Sequence, residues 1–242
     1  MRVDVNDSLR LLAKGIYEPA ETELVKSVVK PGDVVLDVGA NIGYYTLIFA
    51  RLVGDEGKVF AFEPDPANCA LLRENVALNG YTNVVVSQAA ASNRNGRVRL
   101  HLSDANKGDH RIYDSHDGRP CIEVPAVQLD ELFADDDRRI DFIKMDIQGA
   151  EGLALEGMSF LLDRTPPRML LMEFAPKALR RAGTEPASVL GWLTSFGYEL
   201  HEIDRHGTRA GPLNASELLG RYSEETEEFA NLVCTKGDVS WA

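Results

Sequence analysis

Two carboxylates, Asp37 and Glu63, each end a short apolar run, and the turns that follow could hold a nucleotide-sized ligand. The first run, 34–38, leads through Gly39-Ala40-Asn41-Ile42-Gly43 into Tyr44-Tyr45-Thr46 and an amphipathic stretch. A strand, a glycine-containing turn and a helix in that order build a pocket at the carboxyl end of the strand. A dinucleotide loop has the pattern G-x-G-x-x-G, whose middle glycine lets backbone approach the phosphates. Here the glycines are four apart and Asn41 stands between them. Asp37 would repel a pyrophosphate and suits a cation. S-adenosylmethionine (SAM) carries an ammonium and a sulfonium and no phosphate. Glu63 comes 20 residues after Gly43, at the tip of the run 58–62. A carboxylate there accepts hydrogen bonds from a ribose diol.

Two more apolar runs end in acid: 141–145 in Asp146, and 168–172 in Glu173 followed by Phe174. In an open α/β sheet the ligand lies beyond the carboxyl ends of the strands, so all four acids are expected to rim one crevice. A reaction at such a rim that deprotonates its substrate needs a group that takes the proton. Asp146 is the first candidate, its alternative a lysine-paired or cofactor-holding carboxylate. His110 sits in the polar loop Asn106-Lys107-Gly108-Asp109-His110-Arg111 and titrates near neutrality. Glu173 could accept a substrate hydrogen bond. The oxygen-rich rim permits a divalent ion, but nothing in the spacing demands one, so no metal is predicted. His101 alternates with apolar residues and reads as surface. His116 and His206 lie in turn-like stretches, and His201 could reach the crevice from a late strand.

These residues need a scaffold, and 242 residues suffice for one α/β domain with a sizeable core. Three cysteines, Cys69, Cys121 and Cys234, are far apart with no C-x-x-C. They offer neither a disulfide framework nor a zinc site, and a cytoplasmic location is expected. No signal peptide or membrane span is visible. A net charge of −12 argues against nucleic acid and permits a neutral or cationic substrate. The acidic runs 135–137 and 224–228 read as solvated surface.

Residues 8–30 read as helical with a break near Gly15, and Lys30-Pro31-Gly32-Asp33 turns the chain into the first strand. A helix follows Gly43. A second has Asp65 as N-cap, Pro66 at its first position and Gly80 past its end. Residues 83–90 read as strand three. Alternation at Val98, Leu100, Leu102, Ile122, Val124 and Val127 predicts an antiparallel excursion over 97–127. Strand four over 141–146, a helix over 153–162, strand five over 168–174, a helix over 187–196 and strands over 197–203 and 229–235 complete a doubly wound, mostly parallel sheet.

These motifs, in this order, resemble the FkbM family of SAM-dependent methyltransferases over roughly residues 15–205. The likeness rests on Gly15-Ile16-Tyr17-Glu18-Pro19, the turn from Asp37 to Gly43, Phe62-Glu63-Pro64, and the run from Asp141 to Glu151. That family shows Lys-x-Asp-x-Glu-Gly-x-Glu in the last segment, and this chain has Gln148 at the first Glu. The resemblance implies a Rossmann-like class I methyltransferase: a seven-stranded sheet with an antiparallel insertion between strands 3 and 4. It divides the chain into an N-terminal helical segment, 1–30, and a methyltransferase domain, 31–242. It also implies O-methylation of a sugar, aminoglycoside or macrolide-type natural product. Gly39, Ala40 and Asn41 would wrap the methionine end of SAM, with Gly43 and Thr46 following, and Asp37 would face its ammonium. Glu63 would hold the ribose, Pro64 and Asp65 would pack near the adenine, and Gln88, Ala89 and Ala90 would line the purine edge. Glu18 would close over the methionine portion. Asp146 counts among the cofactor contacts too. An NAD-dependent oxidoreductase and a SAM-binding module without catalysis are the rival readings.

Overall fold

The computed structural model describes residues 1–136, 138–204, 207, 209–223 and 225–237. Asp137, His206 and Glu224, named above, lie outside the described residues.

The chain opens with two helices, α1 (Leu11–Lys14) and α2 (Pro19–Val28), separated at Gly15 as the sequence suggests. β1 (Val34–Val38), α3 (Tyr44–Val53), β2 (Lys58–Phe62), α4 (Pro66–Leu78) and β3 (Val84–Ser87) follow as parallel strands with crossover helices. The excursion comes next: β4 (Ala90–Ala91), β5 (Gly96–His101) and β6 (Cys121–Val127), then the short α5 (Leu129–Leu132). β7 (Phe142–Met145), α6 (Glu151–Glu156), α7 (Ser159–Arg164), β8 (Met169–Phe174), α8 (Pro176–Arg181), α9 (Pro186–Ser195), β9 (Glu199–Ile203), β10 (Arg209–Leu213), α10 (Ala215–Arg221) and β11 (Ala230–Thr235) complete it.

The main sheet runs β10-β9-β11-β8-β7-β1-β2-β3. β11 is antiparallel to both neighbours. The seven expected strands are present, and β10 adds an eighth at the edge. The chain winds outward from β1 to β3 and returns with β7 on the other side of β1, which makes that point the topological switch. β1 is buried along its whole length because helices cover both faces. Leu36, Val38, Ile143 and Met172 pack on one face with Leu155, Leu162 and Leu190. Val35, Val59, Phe142 and Leu171 pack on the other with Tyr45 and Phe49 of α3. Leu24, Val25 and Val28 of α2 join that second core, so the N-terminal helical segment is packed onto the sheet. No helix among the described residues is long and apolar enough to cross a membrane.

Several boundaries differ from those read in the sequence. Residues 83–90 are not one strand: β3 ends at Ser87, and Ala90–Ala91 pairs with β6 in a separate three-stranded sheet. That sheet contains the expected antiparallel pair, β5 with β6. The helix expected over 153–162 divides in two at Gly157, where a side chain is sterically excluded: a Cβ would lie 2.0 Å from the Ser92 carbonyl oxygen. His101 is mostly covered rather than surface, because its backbone exchanges hydrogen bonds with Arg111 at 2.7 and 3.1 Å. α5, α8, α10 and β10 had no counterpart in the sequence reading. For α10 the signal was present: Asn214 and Glu217 form a reciprocal capping box.

Candidate active site

At the carboxyl ends of β1, β2 and β7 lies a cavity of about 200 Å³. The turn after β1 is tied to β2 by backbone bonds from Gly39 and Ala40 to the Phe62 carbonyl, 3.0 and 2.9 Å. Gly39 has φ +85°, and a Cβ there would stand 2.0 Å from the carbonyl oxygen of Asp146. Only glycine lets β1 and β7 close together at this point. Asn41 follows in the left-handed region, φ +50°, a conformation asparagine tolerates better than most residues.

Glu63 organises the other wall. Its Oε2 accepts from the Asn41 backbone N–H at 2.8 Å and its Oε1 from that of Asp65 at 2.9 Å. It is 5% exposed, and burial pushes its carboxyl up to about 8. Asp37 is 1% exposed and also raised, by burial first. Thr46 donates to its Oδ2 at 2.5 Å, while Oδ1 has no hydrogen-bond partner among the described residues. A buried, half-satisfied carboxylate on a cavity wall is unfavourable alone and favours a cationic ligand.

Lys144 is the neighbour of Asp37 across the strand pair. Its Nζ lies 3.5 Å from Asp146 Oδ2 and 4.5 Å from the centre of the Tyr45 ring. Burial pulls its pKa down, but Asp146, Glu18 and Asp37 more than offset this and hold it above the ordinary value. Asp146 Oδ1 accepts from Gln148 Nε2 at 2.8 Å, so both its oxygens are oriented. Gln148 itself adopts φ +54°.

Of the residues singled out in the sequence, Asp37, Gly39, Ala40, Asn41, Glu63, Pro64, Ala89, Ala90, Asp146 and His110 line this cavity. Others, Gln88 among them, do not. Gly43 sits behind it against Leu72, opening α3 at φ +93°. Thr46 is fully buried and directs its hydroxyl to Asp37. Asp65 uses its carboxylate to cap α4, accepting from the Asn68 N–H at 2.8 Å. Glu18 and Glu173 open instead onto a smaller recess shared with Glu21, Lys144 and Asp146. The four strand-end acids therefore do not rim one crevice: β8 is one strand farther from the switch point, and Lys144 and Asp146 form the wall between compartments. Glu18 accepts from the Tyr45 hydroxyl at 2.9 Å and is raised to about 7, burial being the main cause. Glu173 is raised by burial and then by Asp146, Glu151 and Glu18. His201 is fully buried within the sheet, 3.3 Å from Thr235 Oγ1, and lines neither compartment.

Sequence reasoning missed Tyr17, Tyr44 and Tyr45, which pack edge to face at 5.2–6.3 Å and wall the cavity. It also missed the part played by Lys144. A lone lysine inside Phe142-Ile143-Lys144-Met145 was the available signal, because a charge in a buried strand requires partners.

A sheet of this topology, with acids at the carboxyl ends of β1 and β2 flanking a glycine-containing turn, defines the Rossmann-like class I fold of SAM-dependent methyltransferases. The profile of the Methyltransferase FkbM domain matches residues 37–200, and the chain belongs to that family. It is 43% identical over 72 residues to the 31-O-demethyl-FK506 methyltransferase FkbM of Streptomyces tacrolimicus, 30% of this chain and 27% of that protein. It is 36% identical over 113 residues to a protein-L-isoaspartate O-methyltransferase of Triticum aestivum, 46% of each. The match thus spans about half the length of that relative. The crystal structure of methyltransferase FkbM from Methylobacillus flagellatus KT shares the fold, with a TM-score of 0.51 at 17% identity, covering 96% of this chain and 56% of that one.

SAM is the cofactor of this family, and the residues present fit it. Asp37 offers an unpaired buried oxygen to a cation, and Gly39, Ala40 and Asn41 of the turn line the cavity beside it. Glu63 keeps lone pairs beyond the two it uses on backbone.

Proposed function

We propose that this protein methylates a hydroxyl of a neutral or cationic small molecule of the sugar, aminoglycoside or macrolide type, with SAM as donor. Asp37, Gly39, Ala40, Asn41, Glu63, Pro64 and Ala89 hold the cofactor, Asp37 facing its ammonium and Glu63 its ribose. When bound, SAM supplies a methyl group already activated by a sulfonium. The chain's tasks are then to align the acceptor and to remove its proton. Alignment contributes roughly 7–11 kcal/mol in such reactions.

The observation that carries the reading is Asp146, on the wall between the two compartments with one oxygen fixed by Gln148 and the other beside Lys144. A carboxylate so held can accept the hydroxyl proton as the oxygen attacks. Glu173, in the recess beside Asp146, is the next carboxyl on the acceptor's side of the wall. Glu18 lines the same recess and Tyr17 the main cavity, so residues 1–30 work with the domain at 31–242.

Hydroxyl fits better than carboxylate as the acceptor. An anionic acceptor approaching Asp146 would face the acidic recess beside it, lined by Glu18, Glu21 and Glu173 with Lys144 as the single cation among the described residues. The Streptomyces relative's name, a 31-O-demethyl-FK506 methyltransferase, points the same way. The acidic chain disfavours a nucleic-acid partner, and three free cysteines suit a reducing cytoplasm.

The test is transfer of label from SAM to a panel of sugars, aminoglycosides and macrolide alcohols, by wild type and Asp146→Asn. Transfer to at least one alcohol, lost in the variant, is expected. Tight binding of S-adenosylhomocysteine (SAH) with no transfer to any alcohol would identify a binding module. Stabilisation by NAD(H) but not by SAH would overturn the cofactor assignment.

A further inference from the structure

His110 stands at the end of a loop that is tied down at several points. Lys107 N–H donates to Ser8 Oγ at 2.9 Å, and Asn68 Nδ2 donates to the Lys107 carbonyl at 2.9 Å. Asn6 Nδ2 donates to the Asp104 carbonyl at 2.8 Å, and Gly108 N–H to Asn106 Oδ1 at 2.9 Å. The imidazole closes the loop on itself: the Ser103 backbone N–H donates to His110 Nδ1 at 3.0 Å. That bond fixes the tautomer. A backbone N–H can only donate, so Nδ1 is the acceptor and the proton of the neutral ring resides on Nε2. The side chain is 8% exposed and lines the main cavity. Desolvation lowers its pKa, which keeps the ring neutral at physiological pH.

His110 therefore carries an N–H, not a lone pair, at Nε2, in a cavity it lines together with Glu63, Pro64 and Asn68, the last of these bonded to its loop through the Lys107 carbonyl. The nearest carboxylate, Asp65, is 3.9 Å from Nε2, beyond hydrogen-bond reach, and its Oδ2 is engaged by Asn68. Lys107 and Arg119 are the cations that bear on the ring, and Asp109 is the other anion. A base role would require Nε2 to accept while Nδ1 also accepts, an arrangement the neutral ring does not have.

Resting on the SAM reading above, we infer that His110 is a nucleoside-binding residue whose Nε2–H donates to an acceptor of the adenosyl group, a purine ring nitrogen or a ribose oxygen. The loop from the excursion thus reads the donor. The acceptor's proton is left to Asp146. The sequence reading made His110 a catalytic base, and this geometry replaces that role.

The test compares SAH with 5′-methylthioadenosine, which keeps the nucleoside and lacks the amino-acid half, by calorimetry on the full-length protein. His110→Asn keeps an acceptor for the Ser103 N–H but removes the distal donor, and His110→Gln restores a donor at longer reach. His110→Asn is expected to weaken both ligands by the same factor, about tenfold, the effect of one hydrogen bond. His110→Gln should recover most of it. The KM for SAM should rise by more than kcat falls. Asp37→Asn should weaken SAH and leave methylthioadenosine unaffected. Nitrogen-15 spectra should place the wild-type proton on Nε2. If SAH binds and His110→Asn changes neither ligand beyond twofold, the inference fails and the SAM reading stands. Loss confined to SAH, or a proton found on Nδ1, also overturns it. If wild type binds neither ligand, the SAM reading falls and takes this with it.

Discussion

The side-chain amide of Gln148 donates to Asp146 Oδ1 at 2.8 Å, while Lys144 Nζ stands 3.5 Å from the other oxygen. An amide and an ammonium together keep this carboxylate oriented without adding negative charge beside it. Gln148→Glu replaces the donor with a second carboxylate at contact distance, where two like charges repel by about 4 kcal/mol at 4 Å and an effective dielectric of 20. The pair is expected to retain a shared proton at neutral pH. The acid limb of the kcat/KM profile should move upward by at least one pH unit, with about tenfold lower activity at pH 7. An unshifted profile would show that Gln148 does not tune Asp146.

Asp146→Asn keeps the size of the side chain and removes its basicity. General-base catalysis contributes about 10²–10⁴-fold. A fall in kcat of at least ~10²-fold is expected, with SAH affinity within a few-fold of wild type. Equal losses in binding and turnover would instead mark Asp146 as a cofactor ligand alone.

Lys144 is buried among Asp37, Asp146 and Glu18. Lys144→Met leaves those carboxylates uncompensated, which costs about 3–5 kcal/mol when one partner of a buried charge group is removed. In a domain of this size that lowers Tm by on the order of 10 °C. Calorimetry of the single variant and of Lys144→Met/Asp146→Asn checks it. The double variant should recover part of the loss.

Gly39→Ala meets the Asp146 carbonyl at 2.0 Å in a backbone conformation that L-residues avoid. The turn must shift, so SAH binding should fall below detection and Tm should drop. Retained affinity would mean that the β1–β7 contact is softer than the geometry requires.

Burial raises Glu63 to about 8 and Glu18 and Glu151 to about 7, from an ordinary value of 4.5. Between pH 4.5 and 8 the folded chain thus holds more protons than the unfolded one. The stability these groups contribute is complete below pH 4.5 and is lost as pH rises to about 8. Ligand-free Tm should fall across that window, Glu63→Gln should flatten the decline, and the Tm gain from SAM should grow with pH. A level profile in the ligand-free protein would contradict this.

How much of this was legible in sequence depends on how local each feature is. Asp37, Gly39, Asn41 and Glu63 could be read because a strand end, a turn and a following strand fix their positions over a short span. Thr46 lies off the cavity because Asp37 claims its hydroxyl, and Asp65, read correctly in the sequence as the N-cap of α4, spends its carboxylate on that cap. Glu173 has the right place in its strand, but its compartment depends on sheet order, which the strand pattern does not contain. Ser8 and Lys107 meet across 99 residues, and no spacing rule announces such a contact. The break at Gly157 is likewise imposed from outside, by the approach of Ser92.

Lys144 and Asp146 belong to both compartments at once, a partition made of two opposite charges rather than of apolar packing. A cation in the main cavity alters the field in the recess, so its binding and the protonation of Glu18 and Glu173 are linked, and that linkage is reciprocal. With SAM held as proposed, methyl transfer would erase the sulfonium charge and leave the partition facing a neutral thioether. Turnover would thereby carry its own signal for discharge of the spent donor.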